Sequence, residues 1–107
     1  MSTVNNLTLI GYLGGNPEVR YMTDGGATTT VSVATSDSWK DKQSGEQHDR
    51  TEWHRVVFWG KLAEIANQLI RSGSQIYVEG RITTQKYQKE GVDHFSTSIT
   101  AEMLQVL

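Results

Sequence analysis

The stretch Thr51 to Arg71, TEWHRVVFWGKLAEIANQLIR, decides the architecture of this chain. Its first part, Thr51 to Trp59, is β-branched and aromatic, with side chains that alternate between two faces as in a strand. Trp53, Arg55, Val57 and Trp59 fall on one face, and His54, Val56 and Phe58 on the other. After Gly60 the period changes. Leu62, Ile65, Ala66, Leu69 and Ile70 recur at i, i+3, i+4, i+7 and i+8, which predicts one amphipathic helix over Lys61–Arg71. Gly73 stands where a left-handed helix stop is expected.

Outward from this centre, everything reads as strand and turn. Val4 to Leu13 is a first strand, closed by Gly14-Gly15-Asn16-Pro17, and a short Glu18–Met22 segment leads to a turn at Asp24-Gly25-Gly26. Ala27 to Thr35 is a second long strand, and the polar residues 37–50 are expected to form a long hairpin loop. Ser74 to Tyr87 is a fourth strand with a bend or bulge at Gly80. Gln88 to Asp93 is a polar turn, and His94 to Leu107 a fifth strand. Three long strands, one helix and two more strands is the order of an all-β, five-stranded OB-fold barrel with the α-helix between strands 3 and 4. The helix is expected to plug one end of that barrel through its Leu/Ile stripe.

Length and composition fit a single domain over residues 1–107, with no repeat and no linker. Surface scaling gives roughly 6,000 Å² exposed on folding, enough for one modest core. The chain has no cysteine, so disulfide scaffolds and thiolate metal sites are excluded. Neither a membrane-length apolar run nor a basic-then-apolar leader is present, and a cytoplasmic protein with no membrane association is expected. A net charge of −2 gives no general affinity for a polyanion. Binding to one would require local placement of cations.

Such placement is visible around the aromatic residues. Trp53 and Trp59 flank Arg55 on one strand face, Trp39 sits at the base of the 37–50 loop beside Lys40 and Lys42, and Tyr87 lies beside Lys86. Taken alone, Trp53 and Trp59 also suit ordinary barrel positions. Rings at loop bases beside lysines, however, do not look like core. On an OB-fold the sheet face around strands 2 and 3 is the common ligand platform, where rings stack on unpaired bases while cations track phosphates. A catalytic role has no such support. His48, Asp49, Glu52 and His54 lack metal-ligand spacing, no Gly-x-Ser-x-Gly elbow exists, and no helix opens behind Gly11-x-x-Gly14-Gly15. The protein is expected not to be an enzyme and to use no cofactor or metal.

Leu9–Gly14, Asn16–Met22, Gly25–Ala27, Ala34–Trp39, Thr51–Val57, Gly60–Glu64 and Gly73–Gly80 together resemble the bacterial single-stranded DNA-binding protein family along nearly the whole chain. Thr-Glu-Trp-His-Arg-Val-Val is the most specific of these strings. The resemblance implies a homotetramer of OB-folds that binds single-stranded DNA without sequence preference and protects it in replication, recombination and repair. Family stacking positions fall on Trp39, Trp53, Trp59 and Tyr87, with Trp59 where Phe is common and Tyr87 where Trp is common. Phosphate-contacting lysines match Lys42, Lys61 and Lys86, to which strand alternation adds Arg55. His54 and Tyr77 match subunit-interface positions. Thr83 and Gln85 stand where some relatives carry arginine, which thins the basic lining. The chain stops at Leu107 without the acidic tail through which relatives recruit replication and repair enzymes, so that partnership is expected only if a tail lies beyond it. The competing expectation is an OB-fold that binds protein partners, as in a primosome-type accessory subunit.

Overall fold

A computed structural model of the chain describes residues 2–107. Six strands and one helix follow in the order β1 (Leu7–Leu13), β2 (Glu18–Tyr21), β3 (Ala27–Lys40), β4 (Gln47–Trp59), α1 (Gly60–Leu69), β5 (Gln75–Lys89) and β6 (Val92–Val106). Around the sheet the order is β1-β5-β6-β4-β3-β2, and β1 also pairs with β3. That last pairing closes the five long strands into a barrel. Both β2 and β1 pair with β3, β2 over Ala27–Thr30 and β1 at Val33 and Ala34. The fold expected from the sequence is thus the fold observed, with β2 as a short addition.

Alternation along the strands builds the core. Leu9 and Leu13 of β1, Val31 and Val33 of β3, Val56 and Phe58 of β4, Ile76 and Val78 of β5, and Ile99 and Ala101 of β6 all point inward and are buried. Gly11 and Gly80 allow the barrel to close. A Cβ on Gly11 would meet the Ala34 carbonyl oxygen at 2.4 Å, and one on Gly80 would meet the Thr100 carbonyl oxygen at 2.2 Å. Only a residue without a side chain lets those backbones approach so closely. The expected irregularity at Gly80 is a register shift between Glu79 and Gly80 in the β5–β6 ladder.

The helix departs from its expected packing. Ala63, Ala66 and Ile70 face the core, Leu62 packs partly against it, and Ile65 and Leu69 are exposed. Small alanines at the contact let the helix lie close to β3, where the buried Thr29 hydroxyl donates to the Ala63 carbonyl at 2.7 Å. The helix ends earlier than expected, at an extended Ile70 whose N–H still reaches the Ala66 carbonyl. Gly73 has φ +87° but belongs to the next turn, closed by Ser74 N–H on the Arg71 carbonyl, and is not the helix stop.

Strand boundaries also differ from expectation at three places. Residues 37–40 and 47–50 are paired strand, so the loop shrinks to 41–46. Polar side chains hold this extension together across the ladder: Ser36 with Thr51, Ser38 with Asp49, and Gln47 with Ser38. The β5–β6 hairpin likewise runs to Lys89 and Val92, turning at Glu90 and Gly91 with φ values of +55° and +76°. At the start of the chain, β1 begins at Leu7 rather than Val4. Before it, the Asn5 side chain makes two hydrogen bonds to the Ile82 backbone, standing in for a ladder step. Among the described residues no helix is long and apolar enough to cross a membrane.

Candidate functional site

The outward side of β4 and the adjoining strands form an open groove of about 520 Å³. One wall comes from β3 and β4, with Thr28, Thr30 and Ser32 paired to Trp59, Val57 and Arg55. The other comes from β5 and β6, with Thr83 and Gln85 paired to Ser98 and Ser96. Arg20 of β2 lines one edge, its guanidinium held by two hydrogen bonds to Glu18. The lining is therefore a field of hydroxyls with two arginines, the Glu18 carboxylate paired to one of them, one indole, and Met22, Val57 and Gln85. Thr83 and Thr100 hydroxyls lie 3.0 Å apart within it. Such a surface offers neutral hydrogen bonds to phosphate or sugar oxygens, with positive charge at only a few points.

The aromatic side chains singled out from the sequence are on the surface. Trp53 is 60%, Trp39 50%, Tyr87 50% and Trp59 45% exposed. Trp59 and Arg55 line the groove, and Trp53 continues their face along β4. Tyr87 continues the face of Thr83 and Gln85 along β5. These three rings and Arg55 are thereby brought to one side of the molecule.

Trp39 is different. It pairs directly with His48 in an unbroken ladder, and alternation places both on the ribbon face opposite Trp53. It also sits near the tip of the β3–β4 hairpin rather than at the base of a loop. The two rings stack, centroids 5.7 Å apart and planes 28° from parallel. Tyr87 has the same kind of partner in His94, at 5.3 Å and 19°.

The cations divide in a similar way. Lys42 lies in the exposed 41–46 turn and Lys61 on the exposed first turn of α1. Lys86 falls on the ribbon face opposite Tyr87, where its ammonium is 3.3 Å from an Asp93 carboxylate oxygen. Its charge is thus partly compensated before any ligand arrives.

Neither of the two residues matched to subunit contacts reaches the groove. His54 is half-buried on the inward side of β4, with Nε2 2.8 Å from the Thr35 hydroxyl. Tyr77 is on the outward side of β5 and donates a 2.5 Å hydrogen bond to Glu79. That hydrogen bond raises the phenol above its ordinary ionisation range, desolvation and the Glu79 charge act in the same direction, and a hydrogen bond involving Thr8 opposes them. Ile10, Tyr12 and Met103 share this outward side and are exposed.

Several contributors escape a reading of the sequence. Gly14 lies directly against Trp53, where a Cβ would meet the indole ring at 2.4 Å. Arg20 is signalled only by its alternation with Glu18 on a four-residue strand. His48 and His94 carry no local signal, because their partners are set by register. Among the described residues no group of three or more His, Asp or Glu side chains is arranged to hold a metal ion.

Three comparisons bear on this geometry. The model of the Single-strand binding protein family matches residues 4–107. The chain is 51% identical over 108 residues to Single-stranded DNA-binding protein 1 of Xylella fastidiosa (strain 9a5c), covering 100% of this chain and 79% of that protein. Its fold is similar to the Plasmodium falciparum SSB solved in complex with ssDNA, with a TM-score of 0.89 and 27% identity, covering 100% of this chain and 97% of the other. A deletion mutant of the Thermus aquaticus single-stranded DNA binding protein gives a TM-score of 0.84 and 32% identity, over 97% of this chain and 50% of that one.

Proposed function

Since the chain belongs to the single-strand binding protein family, we propose that it binds single-stranded DNA without sequence preference, by stacking bases on exposed rings and pairing phosphates with scattered cations. The observation that carries this reading is the run of Trp53, Arg55 and Trp59 along one face of β4, opening into a hydroxyl-lined groove that Tyr87 continues on its far wall. Every base has a π-face, so rings of this kind hold a strand whatever its sequence. A duplex hides those faces, which selects for single strands. Lys42, Lys61 and Lys86 supply further phosphate contacts, and Trp39 a fourth platform on the reverse of the β3–β4 ribbon.

The same reading includes assembly into a homotetramer. The outward side of β1, β5 and β6 supports it, because Ile10, Tyr12 and Met103 leave apolar surface exposed around Tyr77. His54, at the base of the β3–β4 hairpin, is the second interface residue proposed. Four copies on one continuous strand turn later contacts into intramolecular ones and raise avidity without new chemistry. The role that follows is protection of exposed strands in replication, recombination and repair.

Titration with poly-dT at low salt, followed by tryptophan fluorescence, tests the proposal. Stacked indoles quench strongly, and the signal saturates at a fixed number of nucleotides per protein. Absence of quenching overturns the reading in favour of a protein-binding OB-fold.

A further inference from the structure

Each of the two projecting hairpins carries a ring and an imidazole as direct cross-strand partners: Trp39 with His48, and Tyr87 with His94. The same arrangement occurs on two different ribbons, close to the turn in each. We infer that His48 and His94 are positioning residues for the aromatic platforms, each covering one face of its ring so that a single face remains open to a base. The inference rests on the single-stranded DNA reading above and adds the question of what holds the rings in place.

The physical need is clear from the surroundings. A ring on the barrel face has a floor: Trp53 lies against Gly14. Trp39 and Tyr87 stand on two-stranded ribbons, half exposed. Without a partner such a ring samples several rotamers and loses that freedom when a base stacks on it. An imidazole stacked from the opposite strand removes the freedom beforehand and leaves the outer face untouched. The charged neighbour of His48 is Glu46, whose carboxylate is 4.0 Å from Nε2. On the other hairpin, Lys86 and Asp93 pair with each other on the face opposite the Tyr87–His94 stack.

Equilibrium binding of oligo-dT at fixed salt tests the assignment with His48→Ala, His94→Ala, His48→Phe, His94→Phe, Trp39→Ala and Tyr87→Ala, each checked for an unchanged circular dichroism spectrum. The alanine variants of the histidines are expected to weaken binding about 2- to 10-fold, the range of an aromatic pair. The phenylalanine variants are expected to restore it. Adding His94→Ala to Tyr87→Ala is expected to cost nothing further, because the imidazole acts only through the ring. Additive losses, or failure of phenylalanine to restore binding, overturn the positioning role while leaving the stacking reading intact. If Trp39→Ala and Tyr87→Ala themselves bind like the parent, the stacking reading fails at these rings and the inference falls with it.

Discussion

The barrel and its two hairpin arms are made of the same kind of strand but held together by different forces. In the barrel, inward residues such as Val33, Val56, Phe58, Ile76 and Val78 are completely buried. In the arms, residues 36–40 with 47–51 and 84–89 with 92–97 have no layer to bury against, and most of their side chains are exposed. Their cohesion comes from the backbone ladder and from polar and aromatic pairs across it, each contributing about 0.2–1 kcal/mol. The arms show in the overall dimensions. The radius of gyration is 16.6 Å, against about 13 Å for a compact domain of this length. The accessible surface is 7817 Å², above the roughly 6,000 Å² of a compact chain. Stability resides in the barrel, and the arms extend the ring-bearing surface at low cost in core residues.

If that division holds, substitutions separate into those that unfold and those that release DNA. The largest effect is expected from Phe58→Ala, which removes the bulkiest fully buried side chain and costs about 3–5 kcal/mol of folding stability. Urea denaturation reads it directly. Trp53→Ala is expected to leave the unfolding midpoint within about 0.5 kcal/mol of the parent, as exposed substitutions do, and to weaken single-stranded DNA binding by about 1–3 kcal/mol. A Trp53→Ala protein that unfolds early would break the comparison. Gly14→Ala sharpens it: the new methyl group must push the Trp53 ring aside, so binding falls by less than in Trp53→Ala while the barrel core stays intact. Oligo-dT titration beside urea melts separates the two quantities.

The same division explains what could be read from the sequence. The barrel announces itself through apolar alternation and one change of period at Gly60, so strand order, the helix and the outward set Trp53, Arg55 and Trp59 were all legible there. The arms were not. Residues 37–40 and 47–50 are almost wholly polar, and composition reads them as loop, although cross-strand pairs such as Ser38 with Asp49 make them strand. With residues 37–50 read as loop, the face of Trp39 and its stacking partner His48 are out of reach of the sequence, because both depend on register. The helix shows a subtler failure. Its period is right, and Leu62, Ala66 and Ile70 of the expected stripe do face the core, but hydrophobicity carries the stripe through Ile65 and Leu69, whereas close approach to β3 favours Ala63.

Charge follows the two regions as well, and this yields the smallest and most discriminating prediction. Arg55 lines the groove on the barrel face and forms none of the observed ion pairs. Lys86 lies on an arm, turned from the Tyr87 face, with Asp93 at 3.3 Å. A cation that releases a counterion on binding contributes a slope of about −0.7 per phosphate to the dependence of log affinity on log salt for a single strand. Removing Arg55 as Arg55→Ala is therefore expected to flatten that slope by about 0.7 per subunit. Lys86→Ala is expected to flatten it by clearly less, because a lysine already compensated by Asp93 has less charge to exchange for a phosphate. Affinities of the two variants measured across a salt series decide the matter. Equal flattening would show that the Lys86–Asp93 pair opens on binding and that the arms carry phosphate contacts as strong as those of the barrel.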